Sequence, residues 1–160
     1  MNELITTLHG ILTPHTASGQ LLEGLTIIRH DHEGWKDNCL LLRRDREDTI
    51  SQAGKIKTVN GRVQLIPAVH INQRSGATLL YTEAEEQAET WARKVERVIM
   101  ANPSLILEPD FAQGFTQFYE DTQINAKEYA IGERQGAFWA YCEMTLNVKY
   151  IYRDGSIARS

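Results

Sequence analysis

The sequence predicts an α+β fold: an antiparallel or mixed β-sheet with a main amphipathic helix over 82–101 and a short N-terminal helix packed on one face. Three observations predict it. Phe138, Ala140, Cys142, Met144, Leu146, Val148, Tyr150 and Tyr152 alternate with Glu143, Thr145, Asn147, Lys149 and Arg153, the period of a strand with one apolar face. Ala84, Ala88, Trp91, Ala92, Val95, Val98 and Ile99 form a stripe at helical spacing, the natural cover for that face. Asn60-Gly61 stands between the strand-like runs Lys55–Val59 and Arg62–Ile66, a signature of a two-residue hairpin turn.

The remaining elements follow in order. Leu4, Ile5, Leu8, Ile11 and Leu12 predict a short amphipathic helix ended by Thr13-Pro14. His15 to Gly24 reads as a loop, Leu25 to His30 as a short strand, and Asp31 to Asn38 as a turn. The run Cys39 to Arg43 is a second strand able to pair with the first. Arg44 to Gly54 has no apolar period and reads as an exposed, mobile loop, so that an arm spans about 44–62 of a single 1–160 domain. Pro67 implies a bend, a bulge or an edge in the strand that carries it. Thr82 and Glu85 fit a capping box at the start of the main helix, with acids early, Arg93, Lys94 and Arg97 late, and Asn102-Pro103 as its stop. Leu105–Leu107 is a short apolar piece, Phe115 to Ile124 a strand, and Gly132 and Gly136 mark a turn.

Composition narrows the function. The chain has 160 residues, 42% hydrophobic and 24% charged, in the range of one globular domain with its own core. A net charge of -4, from 17 basic and 21 acidic residues, argues against a partner held by phosphate neutralisation. Cys39 and Cys142 lie in apolar runs and read as buried thiols of a reducing compartment. The opening MNELITTLHGIL lacks the basic start and long apolar core of a signal peptide, and no apolar run approaches a membrane span. A soluble product of the cytoplasm is the expectation.

Candidate chemistry is sparse. His30 and His32 would share a face of a strand and could hold a metal, but zinc needs three or four ligands, and His9, His15 and His70 lack ligand spacing. Glu108 with Asp110, and Glu120 with Asp121, are carboxylate pairs best read as polar surface. No phosphate loop, nucleophile elbow or zincin motif occurs. No catalytic, cofactor or metal residue is therefore assigned. What remains is a set of large side chains, Trp35 in a turn and Trp139, Tyr141 and Ile151 on the polar side of the last strand. These are either anchors of a contact surface or the floor of a second packing layer supplied by the N-terminal helix. As anchors, Trp35 and Trp139 would matter more to assembly than to monomer folding.

The order of elements resembles the tail terminator, or tail completion, proteins of long-tailed phages. The pieces that carry the likeness are the helix Thr82–Ala101 ending in Asn-Pro, the stretch GFTQFYEDTQI, and the closing GAFWAYCEMTLNVKYIYR. The resemblance covers most of the chain and implies a non-enzymatic α+β subunit. Such subunits assemble as a homohexameric ring that caps the tail tube, stops its polymerisation and meets the head-completion or connector protein. It implies a place at the head-proximal end of the virion tail, no cofactor, no membrane, and DNA passing through the lumen without sequence-specific contacts. The family has no fixed binding motif to map onto these residues. The alternatives are another head–tail neck component, a small metal-dependent enzyme using His30 and His32, and a single-chain binding module of a bacterial toxin or secretion system.

Overall fold

The computed structural model describes residues 2–29, 34–54, 56–71, 77–102 and 118–153. Helix α1 (Asn2–Leu12) is followed by a 3-10 turn (Thr13–Thr16), strands β1 (Thr26–Ile28), β2 (Cys39–Ala53) and β3 (Ile56–His70), helix α2 (Ala77–Met100), and strands β4 (Phe118–Arg134) and β5 (Ala137–Arg153). They form one five-stranded sheet in the order β1-β2-β3-β5-β4. β1 and β2 pair in parallel and the other neighbours are antiparallel. This is the α+β architecture that the alternation and the stripe predict.

Both helices lie on one face of the sheet because only that face is apolar along its length. Leu4, Leu8 and Leu12 of α1 and Ala84, Ala88, Trp91, Ala92, Val95, Val98 and Ile99 of α2 are buried in one cluster with Ala140, Cys142, Met144, Leu146 and Val148 of β5. Phe138, on the same face, is 36% exposed. The side chains of Tyr150 and Tyr152 lie outside the described residues. At the end of α1, Pro14 falls in the 3-10 turn, and the Thr13 hydroxyl donates to the His9 carbonyl at 2.6 Å. At the end of α2, the Asn102 amide donates to the Val98 carbonyl at 3.0 Å, closing an orphan acceptor of the last turn. Pro103, the apolar piece 105–107 and the carboxylates Glu108 and Asp110 lie outside the described residues.

Several elements differ from expectation. Residues 44–53 are strand: β2 runs on to Ala53, paired with β3 throughout. Its period is hidden because register shifts fall between Arg44 and Arg46 and between Thr49 and Ser51, and every residue from Arg44 onward is exposed. Asn60 and Gly61 make no turn. They sit inside β3, paired on both sides with Glu47 and Asp48 of β2 and with Val148 and Lys149 of β5. The Asn-Gly preference is local, and two flanking strands override it. The turns are elsewhere. Gly54 takes φ +60° beyond Ala53, and Gln135 and Gly136 both take positive φ, 56° and 75°, the type I′ pattern.

Thr82 is not a cap, since α2 begins at Ala77 and Thr82 lies within it. Gly132 is inside β4, opposite Trp139. A Cβ there would stand 3.3 Å from the Tyr141 ring, so the glycine makes room for an aromatic side chain rather than for a turn. The strand read over 115–124 is β4, which continues to Arg134; residues 115–117 lie outside the described ones. Pro67 occupies an interior strand. Its pairing with Leu40 of β2 is intact, whereas pairing of β3 with β5 lapses at Ile66 and Pro67 and resumes in the same register at Ala68. The missing proline N–H thus costs one rung of the ladder without a bulge.

Candidate interaction surfaces

The aromatic residues singled out in the sequence come together on the sheet face opposite the helices. Cys39, Ala68 and Tyr141 are cross-strand neighbours, so they share that face. Trp139 lies beside them in a second, smaller core with Ile28, Cys39, Leu41, Ile66 and Ala68, and Trp35, Ala137 and Tyr141 pack on its rim. Trp139 is 5% exposed. Its ring meets Trp35 edge-on at 5.6 Å and His70 at 5.1 Å, and its indole N–H donates to the Arg134 carbonyl at 3.2 Å. Trp35 also meets Tyr141 at 5.5 Å, and the Arg134 guanidinium stacks 4.5 Å from the Trp35 ring centre, a cation–π contact. The Trp35 indole N–H is buried and meets no acceptor among the described residues.

Of the two readings of Trp139, contact anchor or packing layer, its burial favours the packing layer. The second layer exists, but the segment carrying Trp35 supplies it, not α1, which packs on the other face. Tyr141 and Trp35 are half-buried, and the Ile151 side chain lies outside the described residues. The signal that separated these cases was available in part: Leu41, Ile66 and Ala68 place apolar side chains on the second face at one end of the sheet only.

Further along that face the side chains are polar. Arg62 and Gln64 donate to the Asp45 carboxylate at 2.6 and 3.1 Å, Gln64 also bonds Thr145, and Arg43 lies 3.5 Å from Glu143. The Gln64 and Arg62 donors hold the Asp45 carboxyl below its ordinary pKa. These groups are partly exposed, so they define a hydrated, charge-balanced face more than they stabilise it.

A second surface lies on the helix side. A cleft of about 330 Å³ opens between α2 and β4, lined by Glu85, Ala88, Glu89, Tyr129, Ile131 and Ala140 among others. Tyr129, Ile131 and Phe138 are 52%, 39% and 36% exposed, and the register with β5 puts all three on the helix side. Lys127 pairs with Glu96, and Arg93 with Glu89. Sequence reading missed this surface because it ended the strand at Ile124 and took Gly132 for a turn, whereas β4 runs on through Tyr129 and Ile131 to Arg134.

Among the described residues the other candidates are not assembled into a site. His30 and His32 lie outside the described residues, as do the side chains of Glu120 and Asp121. His9, His15 and His70 belong to α1, the 3-10 turn and β3. Among the described residues no three His, Cys, Asp or Glu side chains stand close enough to hold a metal ion. No described helix is long and apolar enough to cross a membrane. Both cysteines are buried and free.

Burial pushes the Cys39 thiol up to about 11 from an ordinary 9.0. Burial also raises Cys142, partly offset by a hydrogen bond with Tyr129. Folding therefore favours the protonated thiols. The stability contributed by Cys39 is fully present below pH 9 and is lost as pH rises toward 11. A thiol reagent at pH 8 is expected to leave both cysteines unmodified in the native chain and to react with both after unfolding. Rapid native-state reaction would place a thiolate at the surface.

No protein-family model and no curated protein matches the chain.

Proposed function

We propose that this chain is a non-enzymatic structural subunit of a phage-type tail, a terminator that closes as a six-membered ring on the tail tube, halts its growth and joins it to the head connector. One observation supports the reading most directly. A subunit that closes a ring must offer two different surfaces, each fitting the other on the next copy. Here the sheet has open edges on both sides among the described residues. β2 is paired with β1 only over Cys39–Leu41, leaving its outer edge open from Leu42 to Ala53, and β4 forms the opposite edge.

Through the register, Leu42–Ala53 lies level with the Phe118–Lys127 half of β4. β2 and β4 run in opposite directions, so those two edges of neighbouring copies would meet as an antiparallel pair without sliding along the strands. The hydrated face bearing Asp45, Arg62 and Gln64, balanced in charge, would not grip DNA passing through a lumen.

The reading is tested by electron microscopy of tails assembled with and without this chain. Tubes of uncontrolled length in its absence are the expected result. Tubes of normal length with unjoined heads would make the chain a different neck component, and tails unchanged in both respects would remove it from tail assembly altogether. Stoichiometric metal in the purified protein would favour instead an enzyme built on His30 and His32.

A further inference from the structure

The half of β4 nearest its turn with β5 combines three features that are usually kept apart. Glu128 to Arg134 pair with β5 in unbroken register, and the other side of this stretch is an open edge among the described residues. Proteins commonly guard such an edge with a lysine standing off it. Lys127, at the upper limit of the stretch, is instead drawn onto α2 by Glu96. Beside the open edge, on the helix side, lie the exposed apolar groups of Tyr129, Ile131 and Phe138 and the cleft floored by Ala88 and Ala140. Carboxylates dominate its border. Glu85 and Glu89 face it from α2, and Glu133 shares the face of Phe138. Arg93 pairs with Glu89 and offsets one of these three charges, so the border stays net negative.

We infer that the Glu128–Arg134 edge of β4 and the cleft beside α2 form a groove that takes an extended, basic segment of a partner protein by strand addition. Main-chain hydrogen bonds along β4 supply affinity without regard to sequence. Alternate side chains of the added strand fall on the helix side, where an apolar one enters the cleft. Lysine or arginine side chains flanking it meet Glu85, Glu89 and Glu133. A second copy of this chain is a poorer occupant. Its own open edge along β2 carries Asp45, Glu47 and Asp48 beside Arg44 and Arg46, and so brings no net positive charge. The groove lies below the level of the edges invoked for the ring and does not depend on that reading.

The test is a fluorescence-anisotropy titration of the purified chain with a labelled peptide whose alternate residues read lysine, valine, arginine, with threonines between them, so that the basic side chains share a face with the valine. Controls are the same peptide with glutamates for the basic residues and one with a central proline. The basic peptide is expected to bind at least tenfold more tightly than either control, with the margin over the acidic one shrinking as salt is raised. Glu85→Gln with Glu89→Gln, the first exposed and the second half-buried in a surface ion pair worth little to stability, is expected to weaken binding about tenfold with a nearly unchanged melting temperature, and Ile131→Ser to do the same. Equal binding of basic and acidic peptides, or tolerance of the central proline, overturns the inference. So does a dimer in sedimentation that Ile131→Lys dissociates, since the occupant is then a second copy. Should Ile131→Ser lower the melting temperature, the glutamate pair decides alone.

Discussion

Trp139→Ala is expected to destabilise the chain by about 3–5 kcal/mol, the usual range for truncating a buried aromatic to alanine, and to lower its melting temperature by roughly 10 °C. The magnitude follows from what the indole does. It is 5% exposed, fills the second core between Cys39, Leu41, Ile66 and Ala68, and receives the edges of Trp35 and His70. Removing it leaves a cavity that the sheet backbone cannot close, because β5 is held on both sides by β3 and β4.

Trp35→Ala removes a rim residue and should cost less. In the double variant, the two changes are expected to couple by about 1 kcal/mol, the scale of one edge-to-face aromatic pair. Thermal and urea melts of the four chains give each quantity. If Trp139→Ala melts like the parent and loses only its ability to assemble, the tryptophan serves an interface between copies and the second core has been misjudged.

The case of Trp139 shows what was legible in the sequence and what was not. The last strand and the α2 stripe were readable because each repeats one period for many residues, and burial follows that period: Ala140 to Val148 and Ala84 to Ile99 are in the main core. The polarity of the other face gave Trp139 an exposed appearance. Its cover comes from Trp35, in a connection with no periodicity of its own. Long-range packing of that kind leaves no local trace.

The same limit explains β2 and β3. Beyond Arg43 both faces of β2 are exposed, so nothing forces alternation. Asn60-Gly61 satisfies a local turn preference that two neighbouring strands outvote. The start of α2 was misplaced for a similar reason, because Thr82 and Glu85 carry the signature of a cap while the helix has already begun at Ala77. The cleft beside β4 was invisible for a different reason. It depends on which helix crosses which strand, and Tyr129 and Ile131 alternate with Ala130 and Gly132, small residues that give this stretch no polar face to mark it as a strand.

Trp91→Ala is the second substitution expected to have a large effect, again about 3–5 kcal/mol, and it tests how α2 is fixed to the sheet. Trp91 is 7% exposed in the main core. Its ring lies 5.1 Å beneath the Lys94 ammonium, and its indole N–H donates to the Asn38 side-chain oxygen at 3.0 Å. Gln87 donates to the same oxygen at 2.6 Å. Asn38 in turn has φ 52°, a left-handed conformation, and its carbonyl accepts from Thr26 at 2.9 Å, where β1 meets β2. One asparagine therefore links α2 to the start of both parallel strands, and Trp91 is the buried half of that link.

Trp91→Phe keeps much of the apolar volume and loses the N–H with part of the ring, so its cost should fall to roughly 1–2 kcal/mol, one hydrogen bond plus a small cavity. Amide hydrogen exchange separates the two effects. In Trp91→Phe, faster exchange should be confined to β1 and the start of β2, where Asn38 acts. In Trp91→Ala it should extend along α2 and the facing part of β5. Uniform acceleration across the sheet in the phenylalanine variant would mean that the Asn38 link bears on the whole fold and that α2 is held by more than its apolar stripe.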